Sequence, residues 1–149
     1  MKISTKGRYA LRLMIDLAQH NTDSYIALKE VAIRQNISIK YLEQIITVLC
    51  KAGFIKSLRG SQGGYKLAKS PKEYKIGDIL RAIEGDLVPV ACLQDEVNQC
   101  ERCDKCETID FWKGLYDVIN KYTDSVTLYD LAILNNVNEK NINNLETER

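Results

Sequence analysis

Four of the chain's five cysteines fall in one stretch, CLQDEVNQCERCDKC from Cys92 to Cys106, spaced C-x7-C-x2-C-x2-C through Cys100 and Cys103. Thiolates spaced this way can converge on one metal centre. Soft sulfur ligands select zinc, copper(I) or iron–sulfur clusters, and the C-x2-C-x2-C run is closer to iron–sulfur ligand runs than to the paired knuckles of zinc ribbons. Iron–sulfur therefore ranks first and zinc second. Two other uses stay open: a closed zinc site that pins the loop, and a metal-free thiol–disulfide switch, favoured by the nearby Arg102 and Lys105. Cys50 stands apart beside Leu49 and reads as a small buried hydrophobe. The single histidine, His20, is remote in sequence from the cysteines, so no Ser/His/Asp or Cys/His arrangement can be built around it. The acidic neighbours Asp95, Glu96, Glu101 and Asp104 solvate the loop rather than form an acid–base pair. The chain does not read as an enzyme.

At 149 residues the chain can bury an ordinary core without staples, so disulfides are not needed for folding. The N-terminal MKISTKGRYALRLMIDLAQ has no apolar run followed by a small-residue cleavage site, and no segment reaches the roughly 18 apolar residues of a membrane span. A soluble cytoplasmic protein with no membrane partner is expected. In that reducing compartment clustered cysteines bind metal or sense redox state more often than they form bridges. The net charge of +1 hides a division. Residues 1–82 carry 15 Lys and Arg against 6 Asp and Glu, a balance of +9; residues 83–149 carry 6 against 14, a balance of −8. A basic half suits a polyanion, which the acidic half would repel.

The elements that must position these groups follow from periodicity. Ala10, Leu13, Met14, Leu17 and Ala18 recur at helical spacing behind Ser4 and Thr5 and stop near Asn21. ALKEVAIRQN places Leu28, Val31 and Ala32 on one face of a second helix. Ser38 is the N-cap type before a third, IKYLEQIITVLCKAG, with Leu42, Ile45, Ile46 and Leu49 inward, Lys40, Glu43, Gln44 and Thr47 outward, and Gly53 as its stop. Two helices joined by a short turn, the second with a polar outer face, describe a helix-turn-helix. FIKSL and YKLAK around RGSQGG then read as a hairpin with a glycine-rich basic tip, which is a wing. No helix start follows that tip and the Walker pattern is absent, which argues against a nucleotide loop. Pro71 opens a linker. KIGDILRAIEG is a fourth helix with Ile76, Ile79, Leu80 and Ile83 inward and Gly85 as its stop. Beyond the cysteines, Ile109, Trp112, Leu115, Tyr116, Ile119 and Tyr122 form an apolar stripe too wide for a small domain to cover, and a second copy of the chain would cover it. TLYDLAIL is a short last helix before a polar tail.

These residues carry a resemblance. MKISTKGRYAL, YLEQIITVLCKAGFIKSLRGSQGGYKL, GDILRAIEG and a cysteine loop ending in KCETIDFW resemble, in that order, the BadM/IscR family of winged-helix transcriptional regulators. The resemblance implies a homodimeric regulator with a long dimerisation helix and, in one branch, an iron–sulfur cluster that controls promoter choice. Position by position, Ser38, Lys40, Tyr41, Glu43 and Gln44 match the recognition-helix face, and Arg59, Gly60, Ser61, Gln62, Gly63 and Gly64 match the wing. A carboxylate at Glu43 could accept from a cytosine amino group. In the cluster-binding branch three cysteines and a histidine three residues beyond the last one hold a 2Fe-2S centre. Here that position is Ile109, which cannot ligate, so the fourth cysteine is the substitute and Cys92, Cys100, Cys103 and Cys106 form the ligand set. Four thiolates could hold a 2Fe-2S or a 4Fe-4S cluster, with 2Fe-2S ahead. A nitric-oxide-sensing branch uses an acidic ligand where this chain has Gly7, Arg8 and Tyr9. A branch that controls cysteine metabolism lacks such a cysteine loop and fits less well.

The resulting expectation is a mainly α chain with a small β-hairpin wing: a winged helix-turn-helix over 1–85, a cluster loop over 86–106, a dimerisation helix and short C-terminal helix over 107–135, and a disordered tail over 136–149. Its partners would be a palindromic double-stranded DNA operator and a second copy, with no small-molecule substrate. The alternatives are a zinc-stabilised or thiol-switch regulator, and an iron–sulfur or zinc protein acting through protein contacts.

Overall fold

The structure, a computed structural model, describes residues 1–20 and 23–137. Ser4 starts helix α1 (Thr5–Gln19) by accepting the Gly7 N–H at 3.0 Å, and its own hydroxyl and N–H donate to the Glu84 carboxylate. That carboxylate occupies the space a side chain at Gly7 would need. Ala10, Leu13, Met14 and Leu17 carry the inward stripe. Helix α2 (Leu28–Gln35) ends at Asn36 in the left-handed region, φ 52°, a conformation asparagine tolerates better than branched residues. Ser38 then caps α3 (Ile39–Lys51) by accepting the Tyr41 N–H. Leu42, Ile45, Ile46 and Leu49 point into the core, as the spacing predicts.

Strands β1 (Ile55–Leu58) and β2 (Gly64–Leu67) pair antiparallel from Ile55 opposite Leu67 to Leu58 opposite Gly64. Ile26 adds a rung on the far side of β2, exchanging both backbone hydrogen bonds with Tyr65 at 2.8 and 2.9 Å. The base of this hairpin hangs on Tyr74. Its hydroxyl accepts from Ala68 N–H at 2.9 Å and Lys69 N–H at 3.1 Å, and donates to the Phe54 carbonyl at 2.7 Å. One buried phenol thus ties the residue before β1 to the residues after β2, and burial pushes its pKa up. Tyr74→Phe should cost about 1–3 kcal/mol, because three backbone groups lose a partner that no apolar ring replaces. Urea unfolding reads the loss; unchanged stability would mean water replaces the hydroxyl.

Pro71 does not open a free linker. Pro71–Glu73 forms a 3-10 turn in which Glu73 accepts the Ser70 N–H at 2.9 Å, proline having preset the first dihedral. Helix α4 (Ile76–Glu84) follows and ends at Gly85 with φ 79°. Helix α5 (Ile109–Ser125) packs on α4 at Gly77, where a methyl would strike Asp124, Thr123 and Arg81. Arg81 fastens the pair, donating to Asn120 Oδ1 and Asp78 Oδ1 at 3.0 Å and to Asp124. A last helical segment over 128–137 includes a π-turn, Asp130–Leu134, and buries Leu128 and Ala132 in the same core as α1–α4. The core therefore continues beyond residue 85 rather than stopping there. Of the expected tail, residues 136 and 137 extend this helix, and 138–149 lie outside the described residues. Among the described residues no helix is long and apolar enough to cross a membrane.

Candidate nucleic-acid interface and metal centre

Burying the Leu42/Ile45/Ile46/Leu49 stripe turns the opposite face of α3 outward, so Ser38, Lys40, Glu43, Gln44 and Thr47 are all exposed. Tyr41 is half-buried because its ring meets Tyr9 of α1 edge-on, at 5.7 Å between centroids, and the Arg12 guanidinium lies over Tyr9 at 5.2 Å. The polar face thus runs along more than two turns of a buttressed helix, with cationic α1 beside it.

What fastens α2 to α1 is a cluster that periodicity does not reveal. Asp16 of α1 is fully buried. Its carboxylate accepts from Arg34 Nη2 at 2.7 Å, Arg34 Nε at 3.1 Å and Gln35 Nε2 at 2.9 Å. Hydrogen bonding to Asp16 raises the Arg34 pKa, so the guanidinium stays charged. Arg12 donates to the Gln35 side chain at 3.2 Å and to the Gln35 carbonyl, which closes the end of α2. His20 sits at the C-terminus of α1 with Nδ1 2.9 Å from the Asp16 carbonyl. The only signal in the sequence was an aspartate on the flank of an apolar stripe, without its partner marked.

The tip of the wing is open: Arg59, Gly60, Ser61 and Gln62 are exposed. Its base is crowded. A methyl at Gly63 would run into the Leu58 carbonyl, and one at Gly64, φ 153°, into the Ile26 carbonyl. Gly60 also has positive φ, 111°, but nothing lies near it. Gly64→Ala should therefore displace the wing from the residue 26 rung, destabilising the fold by about 1–3 kcal/mol and weakening any DNA contact through Arg59. Gly60→Ala should do less, since only its dihedral is strained. Thermal melting beside gel-shift titration separates the two; equal effects would mean crowding at Gly64 is relieved elsewhere.

The cysteine loop carries two 3-10 turns, Ala91–Leu93 and Cys103–Lys105. Cys103 N–H donates to the Cys100 carbonyl at 3.0 Å and Cys106 N–H to the Cys103 carbonyl at 3.3 Å, so the C-x2-C-x2-C run coils as two successive turns. Cys100 and Cys106 line one cleft of about 400 Å³ with Arg102, Lys105, Glu107 and Thr108. Cys106 Sγ lies 3.5 Å from the Thr108 hydroxyl, and that hydrogen bond lowers its pKa, with Arg102 adding a smaller effect. Burial raises that of Cys50. All five thiols are free. The donor chemistry and the coiled chain path suit an all-thiolate metal site, and Arg102 and Lys105 would offset its negative charge. As placed, however, no three His, Cys, Asp or Glu side chains among the described residues converge on one point. Ligation requires the loop to tighten.

Helix α5 begins at the end of this loop. Its apolar residues split between two faces. Ile119 packs on the chain's own core, and Ile109, Trp112 and Tyr116 are half-buried. Leu115 and Tyr122 point outward together with Phe111 and Val118, which the stripe read from the sequence omitted; these four are 37, 68, 64 and 63% exposed respectively.

A family profile described as Rrf2, iron-dependent transcriptional regulator, matches residues 3–133. The transcriptional regulator CymR of Bacillus subtilis is 42% identical over 132 residues, covering 89% of this chain and 90% of that protein. The solved structure of CymR, the global cysteine regulator of B. subtilis, superposes with a TM-score of 0.72 at 39% identity, over 89% of this chain and 96% of the other. T. potens IscR superposes with a TM-score of 0.68 at 38% identity, over 94% of this chain and 90% of that one. These relatives are regulators rather than enzymes. A helix-turn-helix with an exposed polar face on α3, a glycine-built wing and a profile match along nearly the whole described chain place this protein in the Rrf2 family of winged-helix, DNA-binding transcriptional regulators.

Proposed function

We propose that this regulator acts as a cytoplasmic homodimer on a palindromic operator, and that Cys92, Cys100, Cys103 and Cys106 hold an iron–sulfur cluster whose presence selects the operators bound. The observation that carries it is the coiled C-x2-C-x2-C run, with two of its thiols in one cationic cleft, directly at the start of α5. When bound, the cluster supplies iron–thiolate bonds whose gain or loss reports iron or redox status. The chain's own residues do the rest. Ser38, Lys40, Tyr41, Glu43 and Gln44 enter the major groove, and Arg59 on the Gly60–Gly64 tip reaches the adjoining backbone or minor groove. Arg81, held by Asn120 and Asp124, makes any shift of α5 a shift of α4, which packs on α1 and α3. Coupling of this kind needs only that loop tightening differs in free energy between two dimer geometries.

The test is an absorption spectrum with iron, sulfide and zinc analysis on protein purified without oxygen, beside single Cys→Ala variants at the four positions. Brown protein with matched iron and sulfide, lost in the variants, supports the reading; equal affinity of loaded and apo protein for every operator removes the sensing step. A second reading rests on a specific observation: the Thr108 hydroxyl, 3.5 Å away, lowers the pKa of the Cys106 thiol, and CymR, whose structure this chain resembles, is a cysteine regulator. A thiol switch without metal would leave the protein colourless, with operator affinity that changes on oxidation and not on chelation. Stoichiometric zinc would make the loop a structural clasp.

A further inference from the structure

Two isoleucines on the helix-turn-helix lie outside the hydrophobic core. Ile33 of α2 is 75% exposed and Ile39, the first residue of α3, is 44% exposed. Both line one shallow, open cleft of about 550 Å³, together with Lys29, Ala32, Asn36 and Ile37. Neither is core: their neighbours Val31 and Ile37 are buried. Nor is the cleft an ordinary apolar patch, because Lys29 stands in its lining, and Ser38 and Lys40 flank Ile39 on the polar face of α3.

We propose that the Ile33–Ile39 cleft is a thymine-reading part of the DNA interface, in which Ile39 packs against the 5-methyl group of one thymine in each half-site. This inference rests on the DNA-binding reading and adds a specificity determinant to it. Residues in the first turn of a recognition helix reach base edges, and the methyl of thymine is the one apolar group the major groove displays. A branched aliphatic side chain at that turn, set among cations that suit phosphates, has the chemistry for such a contact. A polar side chain there would gain nothing from a methyl. Lys29 in the cleft lining and the exposed Lys40 next to Ile39 supply cations suited to phosphates, contacts that would fix register without reading sequence.

The experiment starts with a duplex selected by the full chain from a random library, and with a set of copies in which one thymine per half-site is replaced by deoxyuridine, deleting only the methyl. For the wild type, one replacement should weaken binding about fourfold per half-site, the value of one buried methyl group. Ile39→Ala should bind the unmodified duplex correspondingly weaker and be indifferent to that same replacement, while responding normally to base changes elsewhere. Both residues are exposed, so melting temperature should not move, and Ile33→Ala gives a second, independent variant. A selected operator on which no methyl deletion matters, or Ile39→Ala keeping the wild-type response to every deletion, overturns the inference while leaving the regulator intact. A library that yields no preferred sequence overturns the reading of a sequence-specific operator, and the inference with it. Wild-type DNA affinity in both isoleucine variants would instead assign the cleft to a protein partner, and would likewise overturn the inference.

Discussion

Val118→Asp should turn a dimer into a monomer and lower affinity for a palindromic operator by more than about a hundredfold. Phe111, Leu115, Val118 and Tyr122 recur at intervals of four, three and four along α5, which is the spacing of one helix face, and all four are exposed. Solvent does not favour such a row, and a second copy presenting the same row would cover it by two-fold symmetry. A carboxylate at its centre would be buried in each copy. An unpaired polar group costs a few kcal/mol on burial and an unpaired charge more, and symmetry counts the penalty twice. The effect on DNA follows from the proposed homodimer, in which one dimer would hold two half-sites, so that losing the dimer would lose the second half-site's contribution. Since Val118 is 63% exposed, the monomer itself should fold with little change in melting temperature. Sedimentation and gel-shift titration read the two effects, with Lys113→Asp, off this face, as control. If Val118→Asp remains dimeric, the dimer uses another surface, and the apolar row awaits a different partner.

The mixed outcome on α5 shows what periodicity can carry. Residues at spacing three and four mark a face only when a helix buries one side. Here α5 rests one face on α4 through Ile119, Asn120, Thr123 and Asp124 and leaves another free, about 140° away by helix geometry. The two stripes merge in the sequence into a single wide one, so Ile119 and Val118 could not be told apart. Helices α1 and α3 were legible because each is buried along a single stripe, and their caps Ser4 and Ser38 are local signals. The wing was legible through its glycines, although the crowding at Gly64 depends on Ile26, some forty residues away, and no local pattern carries that. Tyr74, Arg81 and Asp16 were missed for the same reason. Each is a polar group whose partners lie on other elements, and pairing across a fold leaves no period. The cysteine spacing was legible as chemistry, yet it does not by itself bring the thiols together.

Asp16→Ala tests the least legible of these residues, and its expected cost is the largest of any single change within one copy. The side chain is fully buried and accepts three hydrogen bonds from Arg34 and a fourth from Gln35. Truncation removes the acceptor but leaves a guanidinium and an amide aimed at the vacated space. Breaking one partner of a buried ion pair typically costs about 3–5 kcal/mol. Arg34 is 31% exposed and can turn partly to water, which moves the expectation to about 2–4 kcal/mol, a large part of the roughly 5–15 kcal/mol that holds a domain together. Asp16→Asn should recover only part, since a neutral amide lacks a carboxylate's charge for the Arg34 fork. The double variant Asp16→Ala/Arg34→Met should be more stable than Asp16→Ala alone, because it removes the stranded charge as well. That ordering separates an ion-pair role from simple packing: a cavity alone would make the double variant no better than the single one. The same carboxylate fixes α2 against α1, and α2 hands over to α3 through Asn36 and Ser38. Asp16→Ala should therefore weaken operator binding beyond what its unfolded fraction explains, measured at a temperature where circular dichroism shows the variant folded. Normal affinity there would mean that α3 is held by its own core stripe, and that Asp16 serves stability alone.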